Sequence, residues 1–264
     1  MPRQTDYPIV LAHGICRFGV IDPGQAGNGQ FGYFRNIGSA LRERGFRVYH
    51  SRVSWAGGVR RRAADLRSEL NRITEGFSLF PKVHVIAHSM GGLDARHMIC
   101  RWKMQERVAS LSTVSTPHWG SSFADWGIRH LGGLIKIAGT LGLDVRGFRD
   151  LTTERCRRFN EEADEFERAN GVQYRTYAGV QIREKVAAAL RFSYDVIERE
   201  EGENDGLVSL RSAKWRDDLF VRQIAADHMN EIGWWDLGDL DISLDLKAFQ
   251  ERIQGLYVEI AESL

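Results

Sequence analysis

Cysteine is scarce in this 264-residue chain, long apolar runs are missing, and neither sign of charge is in excess. Cys16, Cys100 and Cys156 are odd in number and show no metal-type spacing, which excludes a disulfide scaffold or a cysteine-rich zinc module. Free thiols in a reducing compartment are the simplest account, with one disulfide and one spare thiol as the alternative. No apolar stretch approaches the ~20 residues of a membrane helix. The first strand-like run, Pro8 to Ala12, starts close behind Met1. The expectation is therefore no signal peptide, no span and a cytoplasmic location, or secretion if a signal has been removed. No Pro/Ser-rich linker, low-complexity tract or internal repeat divides the chain, so residues 1–264 read as one domain. Lys and Arg total 36 against 35 acidic residues, a net charge of +1. That balance gives no electrostatic argument for nucleic acid or an acidic membrane surface. Arg60-Arg61-Arg62 is the basic run that stands out, and it reads as a solvated helix start. Nothing points to an obligate protein partner.

What is present is 43% apolar residues and 27 glycines, enough for a sizeable core with many turns. Apolar, β-rich runs alternate with helical patterns, which predicts a mostly parallel sheet with helices on both faces. The predicted strands are Ile9 to His13, Arg47 to Val53, Val83 to His88, Val108 to Ser115, Tyr174 to Val180 and Phe220 to Ile224. The predicted helices are Tyr33 to Arg44, Val59 to Thr74, Met90 to Lys103 and Thr152 to Arg168. Val59, Ala63, Leu66, Leu70 and Ile73 recur three or four residues apart and form a core-facing stripe.

Ala87-His88-Ser89-Met90-Gly91 lies where the third strand turns into a helix. Such a turn is too sharp for bulky side chains two residues either side of the serine, and Ala87 and Gly91 meet that condition. Serine used as a nucleophile needs a base, an acid that orients the base, and donors for the oxyanion. Among eight histidines, His228 alone lies far downstream in a short polar segment after the last strand, which makes it the natural base. Asp205, in the turn Glu203-Asn204-Asp205-Gly206, is the best-placed acid. By chain order alone Asp195, Asp217, Asp218 and Asp227 are rivals, and an aspartate in a turn also commonly caps backbone. Oxyanion donors should be fixed backbone N–H groups. Met90, after the serine, and Ile15, after the glycine turn of the first strand, are the choices. Cys16, next to Ile15, reads as a small apolar residue rather than a nucleophile.

The motifs Leu11-Ala-His-Gly14, Ile86-Ala-His-Ser-Met-Gly-Gly92, Ser115-Thr-Pro-His-Trp-Gly-Ser121, Leu151-Thr-Thr, Phe159-Asn-Glu, Asn204-Asp-Gly-Leu-Val208 and Asp227-His-Met-Asn230 resemble those of bacterial triacylglycerol lipases of the α/β-hydrolase superfamily. They run in the same order from about residue 7 to residue 235. The resemblance implies an α/β-hydrolase fold and a carboxylic-ester hydrolase acting on a lipid or other hydrophobic acyl ester. In it Ser89 is the nucleophile, Asp205 the acid, His228 the base, and Ile15 and Met90 the oxyanion donors. No organic cofactor is implied. Family members hold a structural calcium near the catalytic histidine through aspartates. Here Asn230 stands at one of those places, so no metal is the primary expectation, with Asp195 and Asn230 as the candidate ligands if there is one.

Residues 122–150 carry Phe123, Trp126, Ile128, Leu131, Leu134, Ile135, Ile137, Leu141 and Leu143 among six glycines, much of this on one helical face. This segment follows the loop that the resemblance places beside the active site, so it is expected to be an apolar lid touching lipid transiently. A buried helical cap is the alternative. His118 and Trp119, with Leu131 and Leu134, become candidates for the acyl-pocket wall, although core packing explains the first two equally well. An acyltransferase or polyester depolymerase would use the same triad. A non-catalytic binding module of the fold is the reading from a different class.

Overall fold

The computed structural model describes residues 6–15, 32–55, 57–130, 146–234 and 246–264. Alternating apolar residues build six strands: β1 Ile9–Ala12, β2 Val48–His50, β3 Val83–His88, β4 Val108–Val114, β5 Gln173–Val180 and β6 Phe220–Ala225. All pair in parallel, in the order β2-β1-β3-β4-β5-β6. The chain steps outward from β1 to β2, then crosses back to place β3 on the other side of β1. Loops leaving the carboxyl ends of β1 and β3 therefore diverge, and the crevice between them is where open α/β sheets place their ligand sites.

Period-2 alternation decides which strand residue faces which layer. Ile9 and Leu11 turn toward α1 (Ile37–Glu43) and α9 (Leu246–Glu262), packing with Ile37, Leu41, Ile253, Leu256 and Tyr257. Val10 and Ala12 turn the other way, toward α2 (Val59–Ile73) and α3 (Met90–Trp102), with Leu66, Leu70 and Met98. Each such side chain contributes about 1.5–3 kcal/mol when fully buried. The whole expected stripe of α2 is buried. The remaining helices are α4 (residues 122–130), α5 Arg146–Asp150, α6 Thr153–Ala169, α7 Arg191–Glu201 and α8 Leu210–Lys214.

Every expected strand is present, and the differences lie at ends and in added helices. α1 begins at Ile37 rather than Tyr33, because Asn36 takes a left-handed φ of 58° that a continuous helix cannot contain. β2 stops at His50 because its neighbour β1 offers partners only to Val48, Tyr49 and His50. Neither α7 nor α9 was among the predicted helices, although Phe249, Ile253, Leu256, Tyr257 and Ile260 carry helical spacing and are buried.

Cys100 and Cys156 are free. Burial pushes both thiols up to about 12, so neither is a ready nucleophile. Cys16 lies outside the described residues, as do Leu131 and Leu134 in the middle of the expected lid. Among the described residues no helix is long and apolar enough to cross a membrane.

Candidate active site

Ser89 sits between β3 and α3 with φ 55° and ψ −135°, a conformation that an ordinary residue adopts only under constraint. Backbone strain of this type is worth about 1–3 kcal/mol, so neighbours must hold it. Val114 O accepts from Ser89 N at 3.0 Å, and Thr116 Oγ1 donates to Ser89 O at 2.8 Å. Glycine is required beside it for steric reasons. A Cβ on Gly91 would lie 2.4 Å from Ala12 O and 2.8 Å from His13 O, and one on Gly92 would lie 2.1 Å from Thr116 Oγ1. The bare backbone at Gly91 thus lets the end of β1 rest directly on the start of α3.

That contact brings the loop carrying Ile15 to the serine. A Cβ on Gly14 would lie 2.7 Å from Ser89 Cβ and 3.1 Å from Ser89 Oγ. Met90 opens α3, where a backbone N–H has no acceptor within the helix. Ile15 and Met90 pack together in one apolar cluster with Val59, Leu93 and Cys156.

Arg62 fixes the same loop from below. Although it belongs to the basic run expected to be solvated, it is fully buried. Its guanidinium donates to Asp94 Oδ2 at 2.7–2.9 Å, to His13 O at 2.8 Å, and to Ser54 O. The helical period corrects the expectation: Arg62 is one position from Ala63 on the inward face, whereas Arg60 and Arg61 are exposed.

Asp205 and His228 meet at the same end of the sheet. His228 Nδ1 and Asp205 Oδ2 are 2.7 Å apart, and His228 N donates to Asp205 O at 2.9 Å. The other carboxylate oxygen, Oδ1, accepts from Leu207 N at 2.8 Å and Val208 N at 2.7 Å. Backbone capping and imidazole orientation, alternatives in the sequence, are here divided between two oxygens of one side chain. Asp227 by contrast caps backbone, accepting from Met229, Asn230 and Ala187 N–H groups. The His228 ring lies 4.4 Å from that of His88, the residue before Ser89. Ser89 Oγ forms no hydrogen bond among the described residues, and such contacts commonly tighten only with substrate bound.

Beneath the pair lies a buried polar chain that the sequence did not single out. Tyr33 Oη is 2.8 Å from His88 Nδ1, His88 Nε2 is 3.0 Å from Glu231 Oε2, and Ser115 Oγ donates to Glu231 Oε1 at 2.6 Å. Gly179 N–H completes it by donating to Ser115 Oγ at 2.9 Å. A Cβ on Gly179 would collide with Glu231 Oε1 at 1.6 Å. Burial first, and then the Asp205 charge, hold the Glu231 carboxyl well above the usual carboxylate range, which favours its neutral acid form beside Asp205. Burial likewise keeps His88 neutral. The spacing His228-Met-Asn-Glu231 was the available signal, because one helical turn returns Glu231 toward its own histidine.

This carboxyl should set a slope in stability against pH. Its pKa is raised on folding, so the folded chain keeps a proton that the unfolded chain has released. Stability from this group is complete below the ordinary carboxyl range and falls as pH rises. Glu231→Gln, which mimics the neutral acid, should flatten the change in urea midpoint between about pH 5 and about pH 9. An equal slope in both proteins would show that Glu231 is ionised when folded.

Several expected residues are placed elsewhere. His118 is fully buried, stacked on Trp215 at 4.6 Å, with its ring nitrogens 3.1 Å from Arg96 Nη1 and 3.0 Å from Thr113 Oγ1. It packs as a core residue, the alternative that the sequence left open. Trp119 is 39% exposed, is anchored through Nε1 to Trp215 O, and lines a separate cavity of about 510 Å³ with Glu201, Arg211 and Lys214. The two calcium candidates have other partners. Asp195 is paired through both oxygens with Arg183 at 2.5 and 2.8 Å, and Asn230 Nδ2 donates to Trp234 O at 3.0 Å. Among the described residues His88, His228 and Glu231 do cluster with metal-ligand spacing, but all three are buried, His88 and Glu231 are bonded to each other, and His228 is bonded to Asp205.

Residues 51–214 match the family described as "Putative serine esterase (DUF676)". "Triacylglycerol lipase 2" of Saccharomyces cerevisiae is 30% identical over 208 residues, covering 76% of this chain and 62% of that protein. "Triacylglycerol lipase" of Burkholderia plantarii is 32% identical over 129 residues, 46% of this chain and 32% of that protein. The chain thus spans less than two thirds of these relatives. Among solved structures, Staphylococcus hyicus lipase superposes with TM-score 0.70 at 18% identity, over 99% of this chain and 96% of that one. The metagenomic carboxyl esterase MGS0156 gives TM-score 0.74 at 18% identity, over 97% and 75%. Likeness at this identity establishes the shared fold, the α/β-hydrolase fold.

Proposed function

The chain belongs to the serine esterase family DUF676, and from that premise we propose that it hydrolyses carboxylic esters of hydrophobic acids through an acyl-enzyme on Ser89. The observation that supports this most is the 2.7 Å contact between His228 Nδ1 and Asp205 Oδ2 at the sheet end that carries the strained Ser89. In the proposed cycle Ser89 Oγ attacks the ester carbonyl carbon while His228 Nε2 takes its proton. Asp205 holds the imidazole in the tautomer with hydrogen on Nδ1 and stabilises the imidazolium. The backbone N–H groups of Ile15 and Met90 receive the negative oxygen, each such donor being worth about 3–4 kcal/mol. The proton passes to the leaving alcohol, and water then repeats the attack and releases the acid. The yeast relative's name, a triacylglycerol lipase, supports an acyl ester of a lipid as substrate.

The test is steady-state hydrolysis of p-nitrophenyl esters from short to long acyl chains. Ser89→Ala should remove at least about 10³-fold of kcat at every chain length while the protein remains folded. Undiminished turnover in that variant would sink the proposal.

A further inference from the structure

The helical face next to the oxyanion loop carries a cavity of about 700 Å³ between α2, α3, α5 and α6. Its cations are all arginines, contributed by each of those four helices. Three acidic residues also line it, and each is paired: Asp150 with Arg155 at 2.8 Å, Glu154 with Arg158 at 2.6 Å, and Glu162 with Arg101 at 3.9 Å. Arg60, Arg61 and Arg149 form no ion pair among the described residues. A chain of net charge +1 has therefore gathered uncompensated positive charge in one concavity. A second sign of that field is His97 on the groove's wall, whose imidazole is lowered to about 3 by burial and by Arg96, Arg101 and Arg60.

The groove adjoins the candidate site through one shared apolar cluster. Its apolar floor is Val59, Leu93 and Cys156, the side chains that pack against Ile15 and Met90. Leu93 follows Met90 by three residues, about 4.5 Å along the helix axis. The floor of the groove therefore begins within about one helical turn of Met90, the oxyanion-donor candidate next to Ser89. Guanidinium groups present paired N–H donors that match phosphate oxygens, which favours phosphate over a diffuse negative charge.

Resting on the ester-hydrolase reading above, we propose that this groove binds the phosphate of the substrate's alcohol part, so that the preferred substrate is a phosphate-bearing acyl ester such as a glycerophospholipid.

Monomeric short-chain probes separate this from membrane docking. Wild type should hydrolyse dihexanoyl phosphatidic acid with kcat/KM at least about tenfold above dihexanoylglycerol, the scale of one or two charge-assisted hydrogen bonds. In Arg60→Ala/Arg61→Ala/Arg149→Ala that ratio should fall to near one, chiefly through KM for the phosphate ester, with circular dichroism reporting the fold. A wild-type ratio near one, or a ratio unmoved in the triple variant, overturns the proposal. So does a preference that appears only with anionic vesicles and not with monomers. If neither ester is hydrolysed, the function reading fails by itself, and calorimetry of the Ser89→Ala protein with dihexanoyl phosphatidic acid still decides the groove. Binding weakened at least tenfold by the three substitutions supports it, and no binding refutes it.

Discussion

Asp205→Asn should lower kcat on a p-nitrophenyl ester by about 10⁴-fold while leaving KM and the urea midpoint close to wild type. The reason lies in the divided use of the carboxylate. Oδ1 accepts two backbone N–H groups, from Leu207 and Val208, and only an oxygen can accept there. An asparagine must therefore place its carbonyl oxygen at that cap and turn its NH₂ toward His228 Nδ1. The imidazole then accepts at Nδ1 and carries its hydrogen on Nε2, where it cannot take a proton from Ser89. The fold survives because the cap survives. Asp205→Ala should instead lose both activity and stability, since two N–H donors of a buried turn lose their acceptor. Steady-state kinetics beside urea unfolding tells the two apart. An Asp205→Asn enzyme within tenfold of wild type would show that another carboxyl orients His228.

Arg96→Ala should destabilise the chain by about 3–5 kcal/mol, the typical result of breaking a buried ion pair from one side. Arg96 is fully buried at the centre of a polar knot. It donates to both oxygens of Glu167 at 2.8 and 2.7 Å and to Asn160 Oδ1 at 2.8 Å. The guanidinium also lies over the Trp215 ring at 3.8 Å and the Phe159 ring at 4.8 Å, a stack that alanine empties. Truncation strands the Glu167 charge, whose side chain is 1% exposed, and opens a cavity between α3, α6 and the loop of His118. Replacing both partners with apolar side chains, Arg96→Met/Glu167→Leu, should recover more than half of the loss, because no charge then remains buried. The urea midpoints of the three proteins measure this, and a single variant within about 1 kcal/mol of wild type would mean that solvent reaches Glu167.

The residues of the candidate site illustrate how far local pattern reaches. Ser89 was legible because the elbow needs small residues at fixed offsets, and Gly91 now shows why, with Ala12 and His13 carbonyls against it. Asp205 and His228 were legible through turn chemistry and chain order, and the family resemblance in motif order pointed to the same residues. Arg62 departs from the solvated reading, and of the two readings open for His118 the core one fits its burial. Whether an arginine is solvated or buried depends on a partner such as Asp94, 32 positions away, which no local window contains. Trp119 and His118 follow one another, yet one is exposed and the other sealed under Trp215.

The sequence by itself determined the strand and helix alternation, the parallel sheet and the identity of the triad candidates. Hydrophobic period, turn residues and steric demands at the elbow act over a few residues and are written locally. Only the tertiary structure decided that Glu231 is buried near Asp205, with its carboxyl pushed above the usual range, and that the arginines of four helices share one groove. Those outcomes depend on burial and on the sum of charges across distant segments. Desolvation and Coulomb energy act through space, and the net charge of +1 holds no record of how the charges are arranged.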